Sequence, residues 1–323
     1  MSTTDKQPAI VAHSLVKRYG ARDVVAGVDL HVERGEVFGL LGPNGAGKTT
    51  TVEMIAGLRR PTQGTVRVLG LDPLAERDEF TRLVSLQPQA ANLFPTLTVA
   101  ETLELFGSFY ERPRSVEEVI GLVGLEDSRN VRVKKLSGGQ SRRLLIAVAV
   151  IGRPRLVLLD EPSAGLDPAA RRELWNLIRS LRDQAVTVLL TTHHMDEAME
   201  LCDHLAIMVS GHIVAEGTPE QLIAEHSTTS RVRFMVPSGT DPGTILEASS
   251  GEEAKIKPVS GALLVQVDTA DPDALLRRVT FQRGLHATGL RVEATSLEDV
   301  FLKLAGEEHR DWTTEPLPDP MRR

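Results

Sequence analysis

Three short stretches of this 323-residue chain carry residue types whose spacing suits phosphate chemistry. The first is Gly42-Pro43-Asn44-Gly45-Ala46-Gly47-Lys48-Thr49-Thr50, which matches G-x-x-x-x-G-K-[ST] between an apolar run, Glu36–Leu41, and a helical run, Lys48–Leu58. Glycines let such a loop curl until successive backbone N–H groups point at phosphate oxygens, and the helix N-terminus adds partial positive charge. Lys48 is placed to reach β- and γ-phosphates, and the Thr49 hydroxyl to ligate Mg²⁺. The second stretch is Asp160-Glu161, two acids ending the apolar run Leu156–Leu159. A strand buried on both faces delivers its C-terminal residues to the crevice where ligands bind. Asp160 is then positioned to hold Mg²⁺ through water, and Glu161 to orient or deprotonate an attacking water.

The third stretch is Leu136-Ser137-Gly138-Gly139-Gln140. Ser137 and Gln140 have capping-box spacing, so a helix can begin here and run through Leu144–Ile151. Two glycines leave the backbone N–H groups bare at that helix start, which makes a second anion site in one chain. One phosphate can occupy both sites only if they come from different subunits. The inference is a head-to-tail dimer, with ATP between one subunit's phosphate loop and the other's Ser-Gly-Gly.

These stretches need elements to hold them. Ile10–Ala12, Val28–Val32, Glu36–Leu41, Thr65–Leu69 and Leu83–Leu86 read as strands. Residues 97–150 turn mostly helical, with capping-box spacing at Thr98/Glu101 and Ser115/Glu118. An α/β rhythm then returns. Strands at Leu156–Leu159, Val186–Thr191, Leu205–Val209 and His212–Ala215 enclose a helix opened by Asp167-Pro168 and another at Met195–Leu201. Uniformly apolar strands alternating with helices predict an α/β fold with a mainly parallel sheet covered on both faces. A polar run, His226–Ser230, reads as a linker to a smaller α+β unit, with strands at Arg231–Val236, Ala262–Val267 and Leu290–Glu293. Helices there start at Asp271-Pro272 and at Ser296. Residues 307–323 are charged and proline-containing, and read as a disordered tail.

Composition narrows the function classes. A net charge of −7 argues against a protein that holds nucleic acid mainly by neutralising phosphates. The single cysteine, Cys202, permits no internal disulfide, and no His/Cys spacing suits zinc. The start, MSTTDKQPAI, has no basic n-region followed by an apolar stretch. The longest apolar runs, such as Leu144–Ile151, fall far short of the ~20 residues that cross a bilayer.

In their order along the chain, the motifs resemble the nucleotide-binding subunits of ABC transporters over roughly residues 8–225. The resemblance implies a P-loop ATPase domain over 8–226 with a helical insert near 90–150, and an accessory domain over 227–306. It implies ATP and Mg²⁺ as cofactors. Tyr19, in Lys-Arg-Tyr-Gly, is similar to the aromatic that stacks on adenine. Gln89 resembles the glutamine that touches Mg²⁺ or the water; Gln87 is a rival, and the spacing to Leu93-Phe94-Pro95 favours Gln89. Ser163-Ala164-Gly165-Leu166-Asp167 resembles the loop linking the two sites across the dimer. His193, ending VTVLLTTH, resembles the switch histidine at the γ-phosphate, whereas His194 lacks that register. Ser141 departs from the family, which often carries a long or basic residue there.

Implied partners are separate membrane-spanning permease subunits and a second ATPase subunit, this chain or a close relative, at the cytoplasmic face of the cell membrane. Thr191–Ala198, Ile213–Pro219 and the ending Ser296-Leu297-Glu298-Asp299-Val300-Phe301 resemble the ATPases of daunorubicin-resistance-type exporters. This implies export of a drug, antibiotic or other small hydrophobic molecule. An importer subunit is the alternative within the transporter class. Soluble relatives acting on ribosomes or DNA commonly carry two ATPase domains or a long coiled coil; this chain shows one phosphate loop, one signature and no sustained heptads.

Overall fold

The computed structural model describes residues 7–226, 230–249, 252, 254–259, 261–293 and 295–306. Positions 227–229 of the expected linker, and the expected tail at 307–323, lie outside the described residues. Strand β1 (Ile10–Tyr19) turns at Gly20 into β2 (Arg22–Val32), and the two pair antiparallel from Ile10↔Val32 to Tyr19↔Arg22. Then come β3 (Val37–Leu41), helix α1 (Lys48–Ile55) and β4 (Gln63–Val68), which pairs with the other edge of β1. Along the end of β2, Val28, Leu30 and Val32 are buried while the residues between them are exposed, the habit of a strand with one face on a core. The mainly parallel sheet expected is formed by β3 together with the strands after β4. β1, β2 and β4 form an antiparallel sheet of their own. Helix α1 stops at Ile55, short of the expected Leu58, because Gly57 takes a left-handed φ of 66° where a Cβ would lie 2.4 Å from the Pro73 carbonyl oxygen.

The second sheet carries the chemistry. After α2 (Arg77–Leu83) come β5 (Val84–Gln87), α3 (Val99–Gly107), α4 (Val116–Leu122), α5 (Gly138–Val150) and β6 (Leu156–Asp160). They are followed by α6 (Pro168–Asp183), β7 (Thr187–Thr192), α7 (Met195–Leu201), β8 (His204–Val209) and β9 (His212–Gly217). The strand order is β5-β6-β7-β3-β8-β9, parallel except for the β8–β9 pair. β3, β6 and β7 are buried at every position, which is why β3, β6 up to Asp160 and the middle of β7 (Val188–Leu190) read as apolar. Their register aligns Leu41 with Thr192 and Asp160 with Thr191, so the three strands end on one edge. Phe38, Leu40, Met54, Ile55, Leu158 and Leu189 pack with Ile10, Leu15 and Leu30 into one core. No helix among the described residues is long and apolar enough to cross a membrane.

The chain divides into two units at Pro219/Glu220, so α8 (Pro219–His226) falls almost wholly in the second, ahead of the boundary expected at 226/227. That unit continues with β10 (Ser230–Pro237), α9 (Pro242–Ala248), β11 (Ala254–Val259), β12 (Ala262–Thr269), α10 (Pro272–Phe281), β13 (Thr288–Glu293) and α11 (Leu297–Ala305). Its antiparallel sheet, ordered β11-β12-β10-β13, buries Val232, Phe234, Val265 and Val267 against Ile245, Leu275 and Val279. Asp241, Asp271 and Ser296 cap its helices.

Candidate active site

The phosphate loop is shaped by contacts that exclude side chains. A Cβ on Gly42 would sit 2.3 Å from the Met208 carbonyl oxygen. Gly47 has φ 107°, and a Cβ there would sit 2.5 Å from the Val24 carbonyl oxygen. Only glycine fits either place. A pocket opens over the loop, lined by Val24, Pro43, Asn44, Gly45, Gly47, Lys48, Thr49, Thr50, Gln89 and Glu161. Lys48 is 5% exposed, and its ammonium donates to the carbonyl oxygens of Gly42 (2.7 Å) and Pro43 (3.1 Å). Burial pulls its pKa down, while Glu161 and Asp160 push it back up.

From the end of β6, Glu161 lines the same pocket and Asp160 stands beside Thr49 of the loop. The Thr49 hydroxyl donates to Asp160 Oδ1 at 3.3 Å, and the Thr191 hydroxyl donates to the same oxygen at 2.5 Å. Hydroxyl and carboxylate oxygens are hard donors of the kind Mg²⁺ prefers. Glu161 adopts a left-handed φ of 47° and is 6% exposed. Its Oε1 lies 3.4 Å from Lys48 Nζ; its Oε2 lies 3.1 Å from His193 Nδ1 and 3.4 Å from Gln89 Nε2. The His193 hydrogen bond, and then the Lys48 charge, hold the Glu161 carboxyl below its ordinary pKa against the opposing effect of burial. Glu161 is therefore anionic and can accept a proton.

Residues far apart in sequence thus converge: Lys48, Thr49, Gln89, Asp160, Glu161 and His193. Gln89 lines the pocket, whereas Gln87 is buried in β5 with its amide on the Pro88 carbonyl. His193 follows the last residue of β7; His194 stacks against it and leads into α7. Tyr19 is not among the residues lining the pocket; its half-exposed ring ends β1, with Lys17 Nζ and Arg59 Cζ 5.4 and 5.7 Å from the centroid. Leu136, Ser137, Gly138, Gly139 and Gln140 do not line it either. Ser137 caps α5 in a capping box with Gln140, and both Ser137 and Gly138 are exposed. A Cβ on Gly139 would lie 2.8 Å from Ala170 Cβ, so α5 begins against the start of α6. There Asp167 accepts hydrogen bonds from the backbone of Ala169 and Ala170.

Three residues at the site were not foreseen. Buried Thr191 accepts a hydrogen bond from the Glu161 backbone N–H at 2.9 Å while donating to Asp160. Arg142 donates to the carbonyl oxygens of Gln89 and Glu161. Glu197, fully buried on α7, accepts from the Ser163 hydroxyl and from Trp175 Nε1 (3.1 Å), and burial raises its pKa. Thr191 stands inside a run already read as strand; Arg142 and Glu197 stand in helices that read as ordinary amphipathic surface.

A glycine loop between a parallel strand and a helix, with paired acids on a strand one place removed, defines a P-loop nucleotide-hydrolysing protein. A model of the ABC transporter family matches residues 25–164. Nod factor export ATP-binding protein I of Burkholderia lata is 39% identical over 91% of this chain and 96% of its own. The daunorubicin/doxorubicin resistance ATP-binding protein DrrA of Streptomyces peucetius is 39% identical over 97% of each. An ATP-binding cassette solved as a dimer in a post-hydrolysis state with ADP and Pi is 27% identical, with a TM-score of 0.58, over 65% of this chain and 98% of that one. The chain belongs to the ABC transporter family, as one of its ATP-binding, ATP-hydrolysing subunits.

Proposed function

We propose that the chain powers a membrane exporter of small, drug-like or amphiphilic molecules by hydrolysing ATP in the pocket over Lys48. The observation that carries the hydrolytic part is the Glu161 carboxylate held among Lys48, Gln89 and His193, one residue beyond Asp160. The loop's backbone N–H groups and Lys48 bind the β- and γ-phosphates, with Pro43, Asn44, Gly45, Ala46 and Thr50 completing the cradle. Tyr19 offers its exposed ring to the adenine. Thr49 and Asp160, with Gln89, would hold Mg²⁺, which when bound neutralises phosphate charge. Glu161 takes the proton of the attacking water, and His193 fixes the carboxylate and meets the γ-phosphate. The exposed turn at Ser137 and Gly138 serves the ATP of a second subunit, with Leu136, Gly139 and Gln140 holding its shape and Asp167 at the junction between subunits.

Export is supported by the Nod factor export relative and a drug-like cargo by the daunorubicin/doxorubicin resistance relative; the similarity of both runs through the C-terminal unit as well as the ATPase unit. In this reading the chain works at the cytoplasmic face of the membrane on a separate permease. Glu161→Gln is the test: ATP binding stays, hydrolysis is nearly abolished, and an ATP-bound dimer accumulates on size exclusion. Hydrolysis by that variant at the wild-type rate removes Glu161 from the role. Affinity purification from gently solubilised native membranes is expected to bring a stoichiometric polytopic protein; ribosomal or DNA-repair proteins in its place would overturn transport.

A further inference from the structure

Arg142 and Arg143 stand side by side in the second turn of α5 and serve opposite partners. Arg143 Nη1 donates to the carbonyl oxygens of Val123 (2.9 Å) and Gly124 (2.7 Å), just past α4. Gln140 adds a bond from its amide to the Ser128 hydroxyl at 3.1 Å. These grips bind the start of α5 to the helical insert. Arg142 reaches the other way. Its Nη1 donates to the Gln89 carbonyl oxygen at 3.2 Å, and its Nη2 to the Glu161 carbonyl oxygen at 3.3 Å.

The chemistry of that contact is specific. Gln89 follows β5 and Glu161 follows β6, so one planar guanidinium spans two strand ends with donors in a fixed geometry. Its hydrogens go to backbone carbonyls, which leaves the Glu161 carboxylate to Lys48, Gln89 and His193. The same helix carries the exposed Ser137-Gly138 turn at its start. α5 is thus a lever with the hydrolytic carboxylate tied near one point and the signature at its tip.

We infer that Arg142 is a positioning residue that fixes Gln89 and Glu161 relative to each other and to α5, so that a displacement at one γ-phosphate moves the signature offered to the partner subunit. This inference rests on the site reading proposed above. Its first consequence is on turnover, because Arg142 is not among the residues lining the pocket over the phosphate loop. Its second is on cooperativity, because the tie links a subunit's own site to the one it completes.

The test uses the full chain in inverted vesicles from cells that carry it in its native genetic setting, with vesicles from cells lacking the chain as the blank and Glu161→Gln vesicles measured alongside. Hydrolysis is followed across ATP concentration for wild type, Arg142→Ala and Arg142→Lys, alongside binding of labelled ATP and thermal melting of the purified variants. Loss of two charge-assisted hydrogen bonds corresponds to about a tenfold or greater fall in kcat for Arg142→Ala. KM for ATP and ATP binding stay within about twofold of wild type, the fold loss to be compared being the tenfold expected of kcat. The Hill coefficient for ATP falls toward one. Arg142→Lys keeps the charge but not the planar fork, so it recovers only part of kcat. Wild-type kcat and cooperativity in Arg142→Ala overturn the inference, as does a loss that appears equally in ATP binding and in melting temperature. Wild-type hydrolysis by Glu161→Gln would instead overturn the site reading beneath it.

Discussion

Removing one hydroxyl, by Thr191→Val, is expected to damage both stability and turnover. Thr191 is fully buried, and its Oγ1 donates to Asp160 Oδ1 at 2.5 Å while accepting from the Glu161 N–H at 2.9 Å. Valine has nearly the same shape, so no cavity opens and the change isolates the hydrogen bonds. A bond to a charged group contributes about 1.5–3 kcal/mol and a neutral one about 0.5–1.5 kcal/mol. The second is only partly lost, because the Glu161 N–H also points at the Thr191 carbonyl oxygen, 3.2 Å away. The sum is about 2–3 kcal/mol, which in a unit of this size lowers Tm by roughly 5–10 °C.

Turnover should fall as well. The left-handed φ of 47° at Glu161 is a conformation that costs a non-glycine residue about 1–3 kcal/mol, and the Thr191 contacts are what hold it. Each 1.4 kcal/mol of lost positioning is about tenfold in rate. The assay pairs thermal unfolding by circular dichroism with steady-state ATP turnover for wild type, Thr191→Val and Thr191→Ser. Serine keeps the hydroxyl and loses one methyl, about 0.8 kcal/mol, so it should stay near wild type in turnover. A Thr191→Val protein melting within about 2 °C of wild type, against the shift computed above, and hydrolysing ATP at the wild-type rate would refute the reasoning.

Gly47→Ala places a Cβ 2.5 Å from the Val24 carbonyl oxygen at φ 107°; the loop must move, and binding of labelled ATP is expected to weaken by about tenfold or more. Unchanged ATP affinity would contradict the steric account of the loop. Glu197 has its pKa raised by burial, opposed by hydrogen bonds from Ser163, Thr192 and Trp175. As pH rises past the ordinary carboxylate range, the unfolded chain releases this proton while the folded chain keeps it, so the contribution of Glu197 to stability falls with pH. Glu197→Gln removes that slope: its Tm relative to wild type should climb as pH rises through the unfolded-state pKa and level off above the folded-state pKa. A difference independent of pH would show that Glu197 is ionised in the fold.

Motifs written in consecutive residues were determined by the sequence alone. The loop Gly42–Thr49, the acid pair Asp160-Glu161 and the caps at Ser137, Asp167 and Ser296 are local. Their partners lie within a few residues, so spacing is enough to read them. The apolar runs of β3, β6 and the middle of β7 likewise announced a sheet covered on both faces. Gln89 against Gln87 was a closer matter, separated in space because Gln87 is the last residue of β5 and buried, while Gln89 lies beyond the strand in the pocket.

What tertiary structure alone decided was which strand ends meet. The order β5-β6-β7-β3 puts β7 between the acids and the phosphate loop, and so gives Thr191 and His193 to the Glu161 carboxylate and backbone. Thr191 reads in sequence as one more residue of an apolar strand, Arg142 as a solvated helix charge, and Glu197 as a helix-surface acid. Their partners stand 31, 53 and 34 residues away in the chain, beyond any local spacing. Burial turns Thr191 and Glu197, and half-burial Arg142, into fixed hydrogen-bonding groups, because a buried polar group without a partner costs more than the bond it makes contributes. That condition exists only once the strands have stacked.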